Sequence, residues 1–201
     1  MIIEHQGQSP TIDPTAWIAP NAVICGDVKI GAGSRVSYGA VVSAEGGPVE
    51  IGDHCIIMEH AVIRGTSPYP ARLGDHVLVG PHAHLSGCTV GGNVFVATGA
   101  SVFTGARLGD ETVVRINGVV HIKASVAAGT VVPIGWVAIG DPAEVLPPAH
   151  DERITELLLE AHFARTVFGI DSQHRAVVMP EMTRRYSKAL ARHFDDRMLE
   201  P

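Results

Sequence analysis

Aromatic side chains are scarce, at 5% of 201 residues, and charged residues make up only 18%. A chain this short of large rings does not build its core around them. Its many glycines (22) and small aliphatic residues suit a narrow, regular core of branched side chains instead. Charge of positive sign is lacking too. The net charge of −6 gives no electrostatic footprint for nucleic acid. No apolar run approaches the roughly 18 residues of a membrane span. The N-terminal MIIEHQGQSPTID has no basic stretch followed by an apolar segment, so no signal peptide is expected. Cys25, Cys55 and Cys88 are odd in number and fit no zinc spacing, and the expected setting is the reduced cytoplasm.

What is present is a period of six. Every sixth residue from Ile12 is aliphatic: Ile12, Ile18, Ile24, Ile30, Val36 and Val42. After three extra residues the ladder resumes at Ile51, Ile57 and Ile63. After four more it continues through Leu73, Val79 and Leu85, and with one residue dropped it runs from Val90 to Val132. A helix repeats every 3.6 residues and a plain strand every 2, so neither explains the spacing. Three rungs per turn make a triangular coil of 18 residues, each short strand stacking about 4.8 Å from its equivalent. Small residues two positions before the rungs, Cys55 and Cys88 among them, fit tight corners. A recurrent pair, as in Ile30-Gly31, Ile51-Gly52 and Leu73-Gly74, marks one face of each coil. The expected fold is mainly β: a left-handed parallel β-helix of about seven triangular coils, from roughly residue 11 to 140, with C-terminal α-helices.

The period stops after Pro142, which divides the chain into a β-helix domain, 1–146, and a helical extension, 147–201, packing on it. Asp151 is the expected N-cap of a first helix carrying Ile154, Leu157, Leu158 and Ala161 on one face. A second helix is expected from Pro180, with Met182, Tyr186, Leu190, Phe194 and Met198 as its stripe. Both stripes read as packing surface.

The register assigns residues to faces. Rungs 42, 63, 85, 102 and 120 stack in one column, and the residues that follow them, Ser43, Arg64, Ser86, Phe103 and His121, face outward. Rungs 36, 57, 79, 96, 114 and 132 form another column and show Met58, Gly80, Ala97, Arg115 and Pro133. Both insertions, around 44–47 and 66–70, leave the first column at one corner in adjacent coils, and loops gathered on a rigid scaffold are where function usually sits. His60 and His82 each lie three residues after a stacked rung, about 5 Å apart by the coil spacing. Glu59 is adjacent and His84 is placed at the next corner. Two imidazoles so spaced would share a divalent metal such as zinc, or form a solvent-exposed ladder.

The stretches GDVKIG, VEIGDHCIIMEHAVIRGT, LGDHVLVGPHAHLSGCTVG and VAIGDPAEVLPP resemble the γ-class carbonic anhydrases within the hexapeptide-transferase superfamily, over about residues 10–170. The resemblance implies a homotrimer with a catalytic zinc between subunits, held by two histidines of one chain and one of its neighbour. Carried over residue by residue, those histidines fall on Arg64, Pro81 and Ser86. The family's Arg-x-Asp pair falls on Ser43 and Glu45, and its Gln-Asp pair on Met58 and Glu59. Ordinary zinc-dependent CO2 hydration is therefore not expected. Two readings stay open. One is a trimeric binding or assembly protein with a small-molecule or anionic ligand in the subunit cleft, where Arg64 pairs with Glu59 or Glu45 across the subunit boundary. The other is an enzyme: an acyltransferase with acyl-CoA as co-substrate and His82, His84 or His121 as general base, or a metalloenzyme with ligands relocated to His60 and His82. No partner in nucleic acid or membrane is expected.

Overall fold

The computed structural model describes residues 1–172 and 174–199. The chain winds into a prism with three sheets as its faces, two parallel sheets of seven strands and one of ten that is parallel except at its two ends. The six-residue ladder holds residue by residue. Val42, Ile63, Leu85, Val102 and Val120 are successive Cα partners on the ten-stranded sheet. Val36, Ile57, Val79, Val96, Val114 and Val132 are successive partners on one seven-stranded sheet. From Ile24 to Val132 every rung is at most 4% exposed, so the interior is a stack of branched aliphatics closed to water. Cys55 and Cys88 are buried small side chains of this core.

The glycine pairs have a steric reason. Asp53 Oδ1 accepts the Ala32 N–H at 2.7 Å, and Asp75 Oδ1 accepts the Asp53 N–H at 2.8 Å, so each carboxylate caps the coil before it. A Cβ placed on Gly52 would lie 2.4 Å from Asp75 Oδ1, which leaves room only for hydrogen. The opposite corners turn through left-handed backbone three residues before a rung. His54, His60, His76 and His82 hold such positions, with φ between 53° and 57°. Histidine is among the residues enriched there. The two insertions abut as expected: Glu45 N–H donates to Gly65 O at 3.0 Å, and a Cβ on Gly65 would collide with the Gly47 carbonyl.

The ends differ from the sequence expectation. The solenoid begins not near residue 11 but at Ile2–Glu4, whose Ile2 pairs with Ile24. Helix α1 spans Asp151–Ala161, α2 Phe163–Phe168 and α3 Arg175–Leu190. The N-cap of α1 is His150 rather than Asp151, which is the first helical residue and, with Glu152, complements the helix dipole. Arg153 ties α1 to Glu144 at 2.5 Å, and Leu157 is its buried anchor. Helix α3 starts five residues before Pro180, the expected first turn, and carries the proline in its interior. A proline there forgoes one backbone hydrogen bond but does not stop this helix. It ends at Leu190, so Phe194 falls in a 3-10 turn, Ala191–Asp195, and Met198 in a strand, Arg197–Leu199. Tyr186 and Leu190 are each 39% exposed, so the stripe is not buried by this chain alone.

The last strand was not anticipated. Arg197–Leu199 pairs antiparallel with Ile2–Glu4 and closes one edge of the ten-stranded sheet. At the other end Glu144–Leu146 pairs antiparallel with Val137–Ile139. Two terminal edges that would otherwise template further pairing are thereby covered. The extension 147–201 thus contributes a strand as well as helices; its positions 173, 200 and 201 lie outside the described residues.

Candidate functional site

The outer face of the ten-stranded sheet carries one row of chemistry. Cys25, Ser43, Arg64 and Ser86 are successive Cα partners, and Phe103 and His121 continue the row. Arg64 is half-buried, and its Nη1 donates to the Tyr186 hydroxyl of α3 at 2.6 Å. Among the described residues this is its one side-chain hydrogen bond, and it makes no ion pair. The guanidinium keeps donors free. Within the chain Glu45, foreseen as a partner across the subunit boundary, bonds to Ser43 at 3.0 Å and to His193 at 3.1 Å. Glu59, the other foreseen partner, accepts the Ser37 hydroxyl at 2.6 Å, and that bond holds its pKa below the ordinary carboxylate value.

His84 is not at a corner. It lies in the strand His84–Ser86, whose pleat turns its ring outward two residues from Ser86. Its ring centroid is 6.2 Å from that of Phe103, which is 6.1 Å from that of His121. Phe103 therefore separates two imidazoles. Burial lowers the pKa of His84 below 6.5, and the Arg64 charge lowers it further. Burial alone lowers that of His121. Both are neutral near pH 7, the form in which an imidazole accepts a proton. His121 Nδ1 is buried with no hydrogen-bond partner among the described residues.

His60 and His82 stack at the corner between sheets, with ring centroids 5.3 Å apart and planes at 10°. His54 and His76 stack in the same way at 5.2 Å. The repetition has a structural origin, since both pairs occupy left-handed corners one coil apart. The foreseen residues thus form two groups: Arg64, His84 and His121 on the sheet face, and Glu59, His60 and His82 at the corner. Glu59 accepts its hydrogen bond from Ser37 rather than from either histidine, among the described residues.

The positions that the resemblance assigns to zinc do not suit the ion. Arg64 and Ser86 are register partners on the ten-stranded sheet, while Pro81 follows the strand Leu78–Val79 of another sheet. A guanidinium cannot deprotonate, proline offers no side-chain donor, and a serine hydroxyl is a poor ligand. A cavity of about 560 Å³ lies elsewhere, among Leu158, Phe163, Ile170 and Met179 of the C-terminal segment. In the single chain Cys25, Ser43 and Ser86 of the Arg64 row are buried, and Arg64, Phe103 and His121 are half-buried.

Tyr186 and Phe103 were not foreseen as site residues. Phe103 was legible as an outward neighbour of the row, while Tyr186 arrives from α3 at a separation of 122 residues that no repeat encodes. Also unforeseen is a convergence of His5, Cys25, His193 and Asp196, the one group of three or more metal-ligating side chains that comes together among the described residues.

Comparison with known proteins agrees with the coil. Residues 9–44 match the family model for the bacterial transferase hexapeptide (six repeats). The chain is 33% identical to gamma carbonic anhydrase 1, mitochondrial, of Arabidopsis thaliana over 153 residues, covering 73% of this chain and 54% of that protein. It is 26% identical to the carnitine operon protein CaiE of Salmonella agona (strain SL483) over 149 residues, 74% of this chain and 72% of the relative. A UDP-N-acetylglucosamine O-acyltransferase structure from Moraxella catarrhalis aligns over 89% of this chain and 90% of its own, at 21% identity and a TM-score of 0.40. The chain spans about half the length of the plant relatives it matches. No helix among the described residues is long and apolar enough to cross a membrane.

Proposed function

We propose that this protein, which belongs to the hexapeptide-repeat superfamily with γ-class carbonic anhydrases and CaiE among its relatives, binds a small carboxylate-like anion beside Arg64 in a cleft completed by a second subunit. The observation that carries the reading is Arg64 itself: a half-buried guanidinium on the outer face, bonded to one hydroxyl and paired with no carboxylate among the described residues. Its planar fork suits a bidentate anion, and Ser86 beside it and the Tyr186 hydroxyl offer further polar contacts. The permanent charge of Arg64 occupies the place that the resemblance gives to zinc, so no metal-bound hydroxide forms there and ordinary CO2 hydration is not the activity.

A homotrimer supplies the cleft. Support comes from one seven-stranded face, where Trp17, Ile56, Phe95 and Val131 are each 41–44% exposed in a row that is apolar except for Arg35 between Trp17 and Ile56. Such an apolar stripe is unusual on a monomer and suits a subunit interface. A second reading, acyl transfer from acyl-CoA, draws on His84 and His121. Burial lowers the pKa of both, which favours the neutral imidazole a general base needs, and His121 Nδ1 has no hydrogen-bond partner among the described residues.

Calorimetric titration with bicarbonate and with acetate tests the anion reading. Wild type is expected to bind one of them, and Arg64→Ala to lose at least about tenfold in affinity, or about 1.4 kcal/mol. Binding that is equal in Arg64→Ala, or absent from wild type for both anions, rejects the reading.

A further inference from the structure

At the closed edge of the ten-stranded sheet, three distant segments bring four metal-ligating side chains together. His5 follows the first strand and bridges Gln8 across a two-residue turn, with Gln6 and Gly7 at φ 52° and 73°. Cys25 faces outward at the end of its strand, paired in register with Ile3. His193 and Asp196 arrive from the C-terminal 3-10 turn. Asp196 accepts from His5 Nδ1 at 2.5 Å and from His193 Nδ1 at 2.7 Å, and Cys25 Sγ lies 3.9 Å from its second oxygen. One ligand atom from each residue lies within 4.8 Å of all the others. His5 and Cys25 are each only 4% exposed.

The two imidazoles are stacked at 4.3 Å and share an orientation. Each turns Nδ1 inward and Nε2 outward. His193 Nε2 lies 3.1 Å from Glu45 Oε2, and His5 Nε2 lies 2.7 Å from the Gln6 side-chain amide. Glu45 is in turn held by the Ser43 hydroxyl. A carboxylate or amide on the far nitrogen of an inward-facing histidine is the arrangement that orients metal ligands. Two neutral imidazoles, one carboxylate and one thiolate also sum to the charge that a divalent cation cancels.

We infer that His5, Cys25, His193 and Asp196 form a tetrahedral site for a divalent transition metal, zinc foremost, that clasps the C-terminal segment to the first coil. Ligands at ordinary zinc distances stand about 3.3–3.8 Å apart. The present spread from 2.5 to 4.8 Å brackets that range. Binding expels the Cys25 thiol proton and any proton on the two Nδ1 atoms to solvent. The Gln6 amide turns so that its oxygen accepts from His5 Nε2–H. The site takes Cys25 from the end of the Arg64 row but uses neither Arg64, Ser86 nor Tyr186, and it stands whether or not the anion reading does.

The test uses the full chain, stripped by a chelator and titrated with Co²⁺ and then Zn²⁺. One Co²⁺ per chain is expected, with thiolate-to-cobalt charge-transfer absorption, displaced by zinc. The absorption should vanish in Cys25→Ser, and affinity should fall at least about tenfold in Asp196→Asn. His54→Ala/His76→Ala should bind as wild type does. Zinc should raise the thermal midpoint of wild type but not of Asp196→Asn. X-ray absorption of the zinc-loaded wild type reads the ligands directly if a variant fails to fold, and one sulfur with two imidazoles is expected. Absence of stoichiometric binding, a charge-transfer band that survives Cys25→Ser, or a sulfur-free zinc shell overturns the proposal.

Discussion

Replacing Ile63 with alanine in the middle of the prism should cost about 3–4 kcal/mol. Ile63 is fully buried, and its Cα partners above and below are Val42 and Leu85. The substitution removes three carbon groups, worth about 0.8 kcal/mol each in transfer from water, or about 2.4 kcal/mol. The rest comes from the void. Neighbouring coils cannot close on it, because backbone bonds such as Val41 N–H to Ala61 O and Val62 N–H to Ala83 O, both 2.9 Å, fix the coil spacing. A residual cavity of about 40 Å³ adds about 1 kcal/mol at roughly 24 cal/mol per Å³. Urea unfolding followed by circular dichroism gives the change, read as a shift of midpoint at constant slope. Two protein concentrations separate it from any shift in subunit association. Val62→Ala, one residue away on the outer face and only half-buried, should cost less than about 1 kcal/mol. A loss below about 1.5 kcal/mol for Ile63→Ala, or equal losses for the two variants, would refute the closed, unyielding core.

The pH dependence of stability should carry the mark of two buried imidazoles. The pKa values of His84 and His121 are depressed below 6.5 in the fold, so the unfolded chain binds more protons in the window just below 6.5. Their contribution is present above about pH 6.5 and is lost as pH falls toward the folded values. His193, raised by bonds to Asp196 and Glu45 that outweigh its burial, contributes the opposite slope, so the comparison is between wild type and His84→Gln/His121→Gln. The variant should lose less stability than wild type between about pH 7 and 5.5; equal losses would contradict the neutral-imidazole assignment. Light scattering in solution should give three chains per particle, with Phe95→Glu, on the exposed apolar row, shifting the particle toward one chain. A monomeric wild type rejects the trimer and with it the two-subunit cleft.

Most of the prism was legible because a solenoid is written locally. Each coil buries its rungs against the coils beside it, so one six-residue period repeats in sequence and reports every Cα partner from Ile12 to Val132. The insertions were legible as breaks in that period, and Arg64, Ser86, Phe103 and His121 as outward neighbours of rungs. His84 was misplaced because reading it as a corner residue missed the strand His84–Ser86. Pro180 misled because a proline suits a first turn better than a helix interior, yet α3 carries it inside.

The sequence by itself determined the three-sided coil, its register, its aliphatic core and the row of side chains on each face. Those follow from burial and pleat, which act between residues one coil apart. Only the tertiary structure decided that the C-terminal strand returns to Ile2–Glu4, that Tyr186 meets Arg64, and that Asp196 lies between His5 and His193. These contacts join residues as far apart as Ile2 and Leu199, outside any period. They form because the open edge of the first coil and the exposed row above it leave backbone and side-chain groups that the last segment of the chain can satisfy.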